Sequence, residues 1–159
     1  MKKQKSFVKK KLEKKMSDIK EILSKYKKIA MIGVSNDPTK ASTIVMKYMQ
    51  GYGFKVYPVN PKAKGQKILG EEVFEKITDI KEEVDIVDVF RPSKEALAIA
   101  EDTVKIGAKV LWLQLGIRNE DAKKIVESKN IKYVENKCTK MEYQTHFLKK
   151  RQAFPVLTN

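Results

Sequence analysis

The segment IAMIGVSNDPTKAS, Ile29–Ser42, holds the pattern that decides the fold. Its apolar start, which runs to Gly33, is typical of a strand that is buried on both faces of a sheet. A polar loop follows, and a helical spacing of apolar residues begins at Ser42. The segment therefore predicts a strand, a tight loop and a helix in succession, although the loop is not a complete G-x-G-x-x-G.

The same alternation continues toward the C-terminus. Further strands are predicted at residues 54–59, 71–74, 84–90, 110–114 and 131–134. Helices are predicted between them, one ending at Gly107 in a left-handed conformation and one capped at its start by Asn119. Because strands alternate with helices, we expect an α/β fold: a Rossmann-like, doubly wound parallel sheet of about five strands in three α/β/α layers.

The first 28 residues differ from the rest in charge. They hold twelve lysines against three acidic residues, a net of +9, whereas the whole chain of 159 residues carries +14. One apolar helical stripe runs through them, formed by Leu12, Met16, Ile19, Leu23 and Tyr26. Such a segment suits an anionic surface or nucleic acid, but a solvated helical face is the interpretation we favour. We divide the chain into a basic, partly helical arm (1–16), a domain (17–146) and a C-terminal tail (147–159).

The composition excludes several classes of protein. The length fits one domain with a real hydrophobic core. A single cysteine, Cys138, rules out an intramolecular disulfide and agrees with a reducing compartment. Apolar runs of membrane-spanning length are missing, and the charged N-terminus lacks the apolar segment of a signal peptide. We therefore expect a cytoplasmic protein without a membrane span.

The loop after Gly33 has the chemistry of a phosphate site. Glycine permits a tight turn, Ser42 or Thr43 is expected to cap the next helix, and the free N–H groups of that helix attract anions. Lys40 adds a positive charge and Ser35 a hydroxyl donor. By itself the loop is equally consistent with a purely structural turn, since any strand-to-helix connection needs a glycine and a cap.

Two missing features narrow the choice of ligand. The Walker motif is absent, which argues against a P-loop nucleotidase. The second strand ends in PVNP without the acidic residue that grips ribose hydroxyls in NAD sites, and lysines follow at positions 62, 64 and 67. A ligand with an additional phosphate on its adenosine ribose fits better, which leaves NADP and coenzyme A.

The order of motifs resembles the small single-domain CoA-binding proteins of the YccU-like family, which are similar to the CoA-binding domain of the succinyl-CoA synthetase α subunit. The motifs are IAMIGVSNDPTKAS, VYPVNPK, ILG, VDIVDVFRPS, VLWLQLGIRNEDA and NKCTKMEY, and the resemblance covers about residues 17–143. The resemblance implies coenzyme A, free or acylated, as the ligand. It also implies ligand contacts in four groups: Gly33, Val34 and Ser35 around the adenosine diphosphate, with Lys40 and Ser42 on phosphate; Val59, Asn60, Pro61 and Lys62 beyond the second strand; Phe90, Arg91 and Pro92 beside the pantetheine or pyrophosphate; and Gln114 and Gly116 further along.

Catalysis is not expected. The synthetase uses a phosphorylated histidine in a second domain, whereas the only histidine here, His146, lies outside the matching motifs. We expect Cys138 to be a packing residue, and Asp85 and Asp88 to face opposite sides of a strand, with Asp88 holding a neighbouring loop backbone. A metal site is not expected, since His146 has no partner at ligand spacing. The leading interpretation is a CoA-binding module of unknown protein partner; the alternatives are an NADP-binding sensor or oxidoreductase domain and a nucleic-acid or anionic-surface binder acting through the arm.

Overall fold

The computed structural model describes residues 2–148, so the predicted tail lies outside the described residues from position 149 onward. The helices are α1 (Lys2–Lys25), α2 (Ala41–Gly51), α3 (Ala96–Lys105), α4 (Glu120–Ser128) and α5 (Thr139–Tyr143). The strands are β1 (Lys28–Ile32), β2 (Lys55–Val59), β3 (Lys67–Ile68), β4 (Glu71–Glu72), β5 (Ile86–Val89), β6 (Val110–Leu113) and β7 (Lys132–Val134). Single 3₁₀ turns occur at Pro61–Ala63, Ile77–Asp79 and Ser93–Glu95, and a π-helical turn follows α5 at Gln144–Leu148.

The main sheet has five parallel strands in the order β2-β1-β5-β6-β7. The predicted Rossmann-like α/β fold is therefore confirmed. β1 has β2 on one side and β5 on the other, so the chain crosses the sheet in both directions from β1. Successive strand residues alternate between two cores, one beneath α1, α2 and α5 and the other beneath α3 and α4.

The strand predicted at residues 71–74 does not join the main sheet. Glu71–Glu72 pairs antiparallel with Lys67–Ile68 in a separate two-stranded hairpin, and only Phe74 forms a bridge to Val59 at the edge of β2. Two residues are too few to form a sheet strand of ordinary length, so this segment serves as a cover for the edge of β2.

The predicted helix boundaries around the second half of the sheet are confirmed. Gly107 follows α3 with φ +68°, the left-handed conformation that glycine adopts at helix ends. Asn119 caps α4, its side-chain oxygen accepting a hydrogen bond of 2.9 Å from the Ala122 amide. Its amide nitrogen donates to the Ser93 carbonyl at 2.9 Å and so ties α4 to the turn before α3.

The first helix has two different halves. Ile19, Ile22 and Leu23 are buried against the sheet, whereas residues 2–17 are exposed throughout. The structure is helical from Lys2, so the arm is more fully helical than the partly helical segment predicted from the stripe. We call residues 2–17 the exposed half of α1. Among residues 2–148, the structure contains no helix that is long and apolar enough to cross a membrane.

Candidate functional site

A concavity lies beyond the carboxyl ends of β1, β2 and β5. Because the chain leaves β1 in one direction and reaches β5 in the other, the loops after these strands diverge and leave a crevice. We call this crevice the switch-point cleft, and its volume is about 510 Å³. Its lining has an apolar part (Ile32, Val59, Pro61, Ile77, Ala98 and Ile99), a cationic part (Lys62, Lys76, Arg91 and Lys94), three carboxylates (Glu75, Glu95 and Asp102), and Gly33 and Asn60.

Gly33 forms the point of closest approach between two strand ends. Its φ is +89°, and a Cβ added there would lie 2.8 Å from the Phe90 carbonyl oxygen and 2.9 Å from Cδ of Arg91. Its amide also donates to the Val59 carbonyl at 2.8 Å. A glycine is therefore required for two reasons, the left-handed backbone and the lack of space for a side chain. The absence of a side chain lets the Phe90 carbonyl and the Arg91 side chain lie against the Gly33 backbone.

The loop between β1 and α2 is closed by its own hydroxyl groups. The Ser35 amide donates to Oγ of Ser42 at 3.1 Å, and Oγ1 of Thr43 donates to the Ser35 carbonyl at 2.6 Å. The expectation that Ser42 or Thr43 caps α2 is wrong, because the helix begins at Ala41 and both side chains fold back onto the loop. Lys40 occupies the capping position without a side-chain cap, so among residues 2–148 the first amides of α2 have no side-chain partner.

Asn60 joins the ends of β1 and β2. Its side-chain nitrogen donates to the Val34 carbonyl at 2.9 Å, and its side-chain oxygen accepts from the Lys62 amide at 3.0 Å. The second bond caps the 3₁₀ turn that begins at Pro61. Asparagine suits this position because one short side chain supplies a donor and an acceptor at once.

Only some of the cations at the cleft form ion pairs. Arg91 pairs with Glu95, with Nε and Nη2 3.0 and 2.9 Å from the same carboxylate oxygen, and both side chains are partly exposed. Lys64, outside the lining, pairs with Glu75 at 3.0 Å and lowers the pKa of that carboxyl. Within residues 2–148, Lys62, Lys76 and Lys94 have no carboxylate at ion-pair distance. Three lysines of the lining are thus without an ion pair among the described residues.

The structure brings together only part of the predicted site. Six predicted residues line the switch-point cleft: Gly33, Val59, Asn60, Pro61, Lys62 and Arg91. Eight others do not line it: Val34, Ser35, Lys40, Ser42, Phe90, Pro92, Gln114 and Gly116. Val34 is fully buried in the core, and the amide of Gly116 donates to the Asn136 side chain at 2.8 Å.

Gln114 in particular does not lie along the cleft as the resemblance implies. Its side chain is buried on the other face of the sheet, where Nε2 donates to Asp88 at 2.6 Å and to Thr139 at 3.1 Å. Oγ1 of Thr139 in turn donates to the second oxygen of Asp88 at 3.1 Å. Asp88 therefore holds two side chains rather than a loop backbone, which corrects that expectation. Complete burial is the main cause that raises the pKa of Asp88 to about 7, and the hydrogen bonds from Gln114, Thr139 and the Val89 backbone oppose this shift.

Several lining residues were not predicted. Lys76 and Ile77 lie at the start of a short 3₁₀ turn, and one turn has no periodic signal by which the sequence could place them. Lys94, Ala98 and Asp102 recur every four residues and follow β5 directly. That spacing puts them on one face of α3 and the turn before it, and it is a signal that sequence reasoning could have used.

The remaining chemical candidates lie away from the cleft. Cys138 is a partly buried free thiol packed against the core, in agreement with its predicted packing role. Asp85 accepts a hydrogen bond from the Lys28 amide at 3.2 Å. Nε2 of His146 lies 3.4 Å from the Glu142 carboxylate. Within the described part of the chain no group of three metal-ligating side chains occurs.

Known proteins resemble the part of the chain that forms the sheet and the cleft. Residues 27–144 match the sequence profile of a family described as a CoA binding domain. The uncharacterized protein YneT of Bacillus subtilis is 35% identical over 127 residues, which are 80% of this chain and 93% of that protein. The α subunit of an ADP-forming acetate–CoA ligase from Pyrococcus furiosus is 32% identical over 112 residues, 66% of this chain. The matched region makes up only 24% of that subunit.

A solved structure shares the fold over most of the chain. A hypothetical protein from Pyrococcus horikoshii superposes with a TM-score of 0.78 at 38% identity, covering 82% of this chain and 90% of that one.

Proposed function

Because the chain belongs to the CoA-binding domain family, we propose that its switch-point cleft binds coenzyme A, free or acylated, without chemistry of its own. The single observation that carries the proposal is the position of a cation-rich cleft at the carboxyl ends of β1, β2 and β5. Ligands of doubly wound sheets bind at this point of strand reversal.

The lining suits both halves of the proposed ligand. A volume of about 510 Å³ lies within the range of small-molecule sites. Ile77, Ala98 and Ile99 offer an apolar surface for the pantetheine arm, and the cations offer partners for phosphate. Lysines without ion pairs lose no existing contact when they bind a phosphate.

Arg91 is the residue that we expect to change partners. Its pair with Glu95 is partly exposed, and exposed ion pairs contribute roughly 0–1 kcal/mol. A phosphate carries more charge than a carboxylate and accepts two guanidinium bonds in parallel. The ligand therefore competes successfully with Glu95 at little cost to the fold.

Binding without turnover is supported by the chemistry of the lining. Among the described residues, those that line the cleft include no serine, threonine, cysteine or histidine to act as a nucleophile. Its three carboxylates, Glu75, Glu95 and Asp102, are already paired with the cations Lys64, Arg91 and Lys105. Incubation with acetyl-CoA or succinyl-CoA, with and without ATP, should release no free thiol in steady state, and protein-dependent release would overturn this part of the proposal.

Calorimetric titration tests the site itself. Lys62→Ala and Arg91→Ala should each weaken CoA binding by about tenfold, the loss of one charge-assisted contact. Lys109→Ala is the matched control, because Lys109 is exposed at the amino end of β6, on the opposite edge of the sheet. Equal affinities for all four proteins, or tight binding of NADP with none of CoA, would contradict the proposal.

The role of Lys40 is tested in the same assay with a second ligand. Lys40→Ala should weaken CoA binding by about tenfold if the uncapped start of α2 receives a phosphate. Dephospho-CoA lacks the 3′-phosphate, so its binding should change little on this substitution if Lys40 grips that phosphate, and as much as that of CoA if Lys40 grips the pyrophosphate. Lys47→Ala, an exposed lysine on the same helix, is the control. An unchanged affinity in Lys40→Ala would remove this loop from the site and leave Lys62 and Arg91 as its cations.

A further inference from the structure

The exposed half of α1 is a helix without a partner. All of its residues from position 2 to 17 are solvent-exposed, although Lys15 lines a shallow groove beside α4 and β7, and the first buried residue of the helix is Ile19. Sixteen helical residues extend over about 24 Å. An isolated helix of this length is marginal in water, so its stability calls for a partner surface.

The exposed half of α1 carries the same apolar face that the domain buries further on. Val8, Leu12 and Met16 follow one another at intervals of four, and Ile19 and Leu23 continue the row at intervals of three and four. The last two are buried, whereas Val8, Leu12 and Met16 are 64%, 57% and 46% exposed. A core-type stripe thus continues into solvent beyond the edge of the domain.

Positive charge surrounds this stripe. The exposed half contains eight lysines and one acidic residue, Glu13, a net of +7. Lys9 and Lys15 lie on either side of the row through Leu12, close enough for their aliphatic chains to extend along it while their ammonium groups reach outward. The partner must therefore offer an apolar layer for the stripe and anionic groups for the lysines beside it.

Three other occupants fit less well. Residues 29–159 carry a net of +5, so the domain itself offers no opposite charge for the helix to fold back upon. A second copy of α1 would bring +7 against +7. Nucleic acid would use the lysines, but it would leave the apolar stripe exposed, and residues 2–17 hold no arginine and only Phe7 for stacking.

We propose that the exposed half of α1 lies along an anionic lipid surface, with Val8, Leu12 and Met16 inserted among the acyl chains and the lysines at the phosphate headgroups. A helix with a basic polar face and a narrow apolar stripe binds in the plane of the interface. Each lysine near such a surface adds electrostatic attraction, which falls off within a Debye length. The residues that line the switch-point cleft include none from α1, so lipid binding and CoA binding are independent properties of the chain.

Vesicle co-sedimentation of the full chain tests the proposal. The wild type should bind vesicles of phosphatidylcholine with about a third phosphatidylserine at least tenfold more tightly than vesicles of phosphatidylcholine alone. Leu12→Gln/Met16→Gln removes two of the three inserted apolar side chains while keeping charge and helix propensity, and it should weaken binding by about tenfold or more. Phe7→Gln is the control, because Phe7 lies about 140° around the helix from Leu12, and it should change binding by less than about twofold.

Circular dichroism of each variant free in buffer checks that the domain is folded as in the wild type. Equal binding of the wild type and of Leu12→Gln/Met16→Gln would overturn the proposal, and so would equal binding to neutral and anionic vesicles. Tighter binding to duplex DNA than to anionic vesicles at the same salt, insensitive to the Leu12→Gln/Met16→Gln change, would assign the helix to nucleic acid instead.

Discussion

Gly33 is the single position at which the backbone of the cleft depends most on residue type. Its left-handed φ and the 2.8 Å approach to the Phe90 carbonyl oxygen come from the way β1 and β5 end side by side. Sequence reasoning identified the glycine through the turn alone. The second requirement, the lack of room for a Cβ, involves a residue far along the chain and is a property of the packed sheet.

Gly33→Ala should separate these two requirements. Gly53 has the same φ of +89° but open space around its Cα, so Gly53→Ala measures the backbone strain alone, about 1 kcal/mol. Gly33→Ala should lower the free energy of unfolding by at least about 2 kcal/mol more, because a backbone oxygen must move. It should also weaken CoA binding by displacing Arg91. Urea denaturation compares the two variants, and equal losses would show that the contact with Phe90 is relaxed in solution.

At the scale of elements, side chains at helix ends form hydrogen bonds that fix the neighbouring loops. The cap of α4 illustrates this, because Asn119 satisfies the first turn of its own helix and also ties down the turn that precedes α3. The sequence predicted the cap from the residue type. The second bond, to the Ser93 carbonyl, depends on α3 and α4 lying side by side beneath the sheet.

Asn119→Ala should lower the free energy of unfolding by about 1–2 kcal/mol, since it removes both bonds. Asn119→Ser keeps a capping oxygen but cannot reach Ser93, so its loss should be clearly smaller. Thermal denaturation with a matched baseline provides the measurement. If serine were as damaging as alanine, the bond to Ser93 and not the cap would be the stabilising contact.

At the scale of the whole molecule, the stability of the fold should depend on pH through Asp88. The folded state raises the pKa of this carboxyl to about 7, above its unfolded value of 3.8. Between these values the folded chain retains a proton that the unfolded chain has lost, so the contribution of this carboxyl to stability is greatest below about pH 4 and falls as the pH rises toward 7. Asp88→Asn removes the titration and should flatten this dependence when unfolding is followed by urea at several pH values. Carboxyls such as Glu75, whose pKa is lowered, act in the opposite direction, so the comparison between the two proteins is decisive. Wild-type and Asp88→Asn curves of the same shape would disprove the assignment.

The two halves of α1 should differ sharply on truncation. Removal of residues 1–15 takes away exposed residues of the arm, so the melting temperature and the CoA affinity should stay close to wild type. Removal of residues 1–24 also takes Ile19, Ile22 and Leu23, and burial of each such side chain is worth roughly 1.5–3 kcal/mol. The longer deletion should therefore unfold the domain or lower its melting temperature by well over about 10 °C. If the protein without residues 1–15 stayed folded but lost CoA binding, the arm would have to contribute to the CoA site.

The sequence by itself determined the alternation of strands and helices, and hence the parallel sheet and the edge at which the cleft lies. These depend on local periods of apolar residues and on caps such as Gly107 and Asn119, which act within one turn of the chain. Only the tertiary structure decided which polar side chains face the cleft. Gln114 and Arg91 both follow buried strands, yet one turns inward to Asp88 and the other outward to the crevice. The difference arises because α5 brings Thr139 over the sheet and completes a hydrogen-bonded group that buries Gln114, an arrangement between residues 25 or more positions apart that no local pattern encodes.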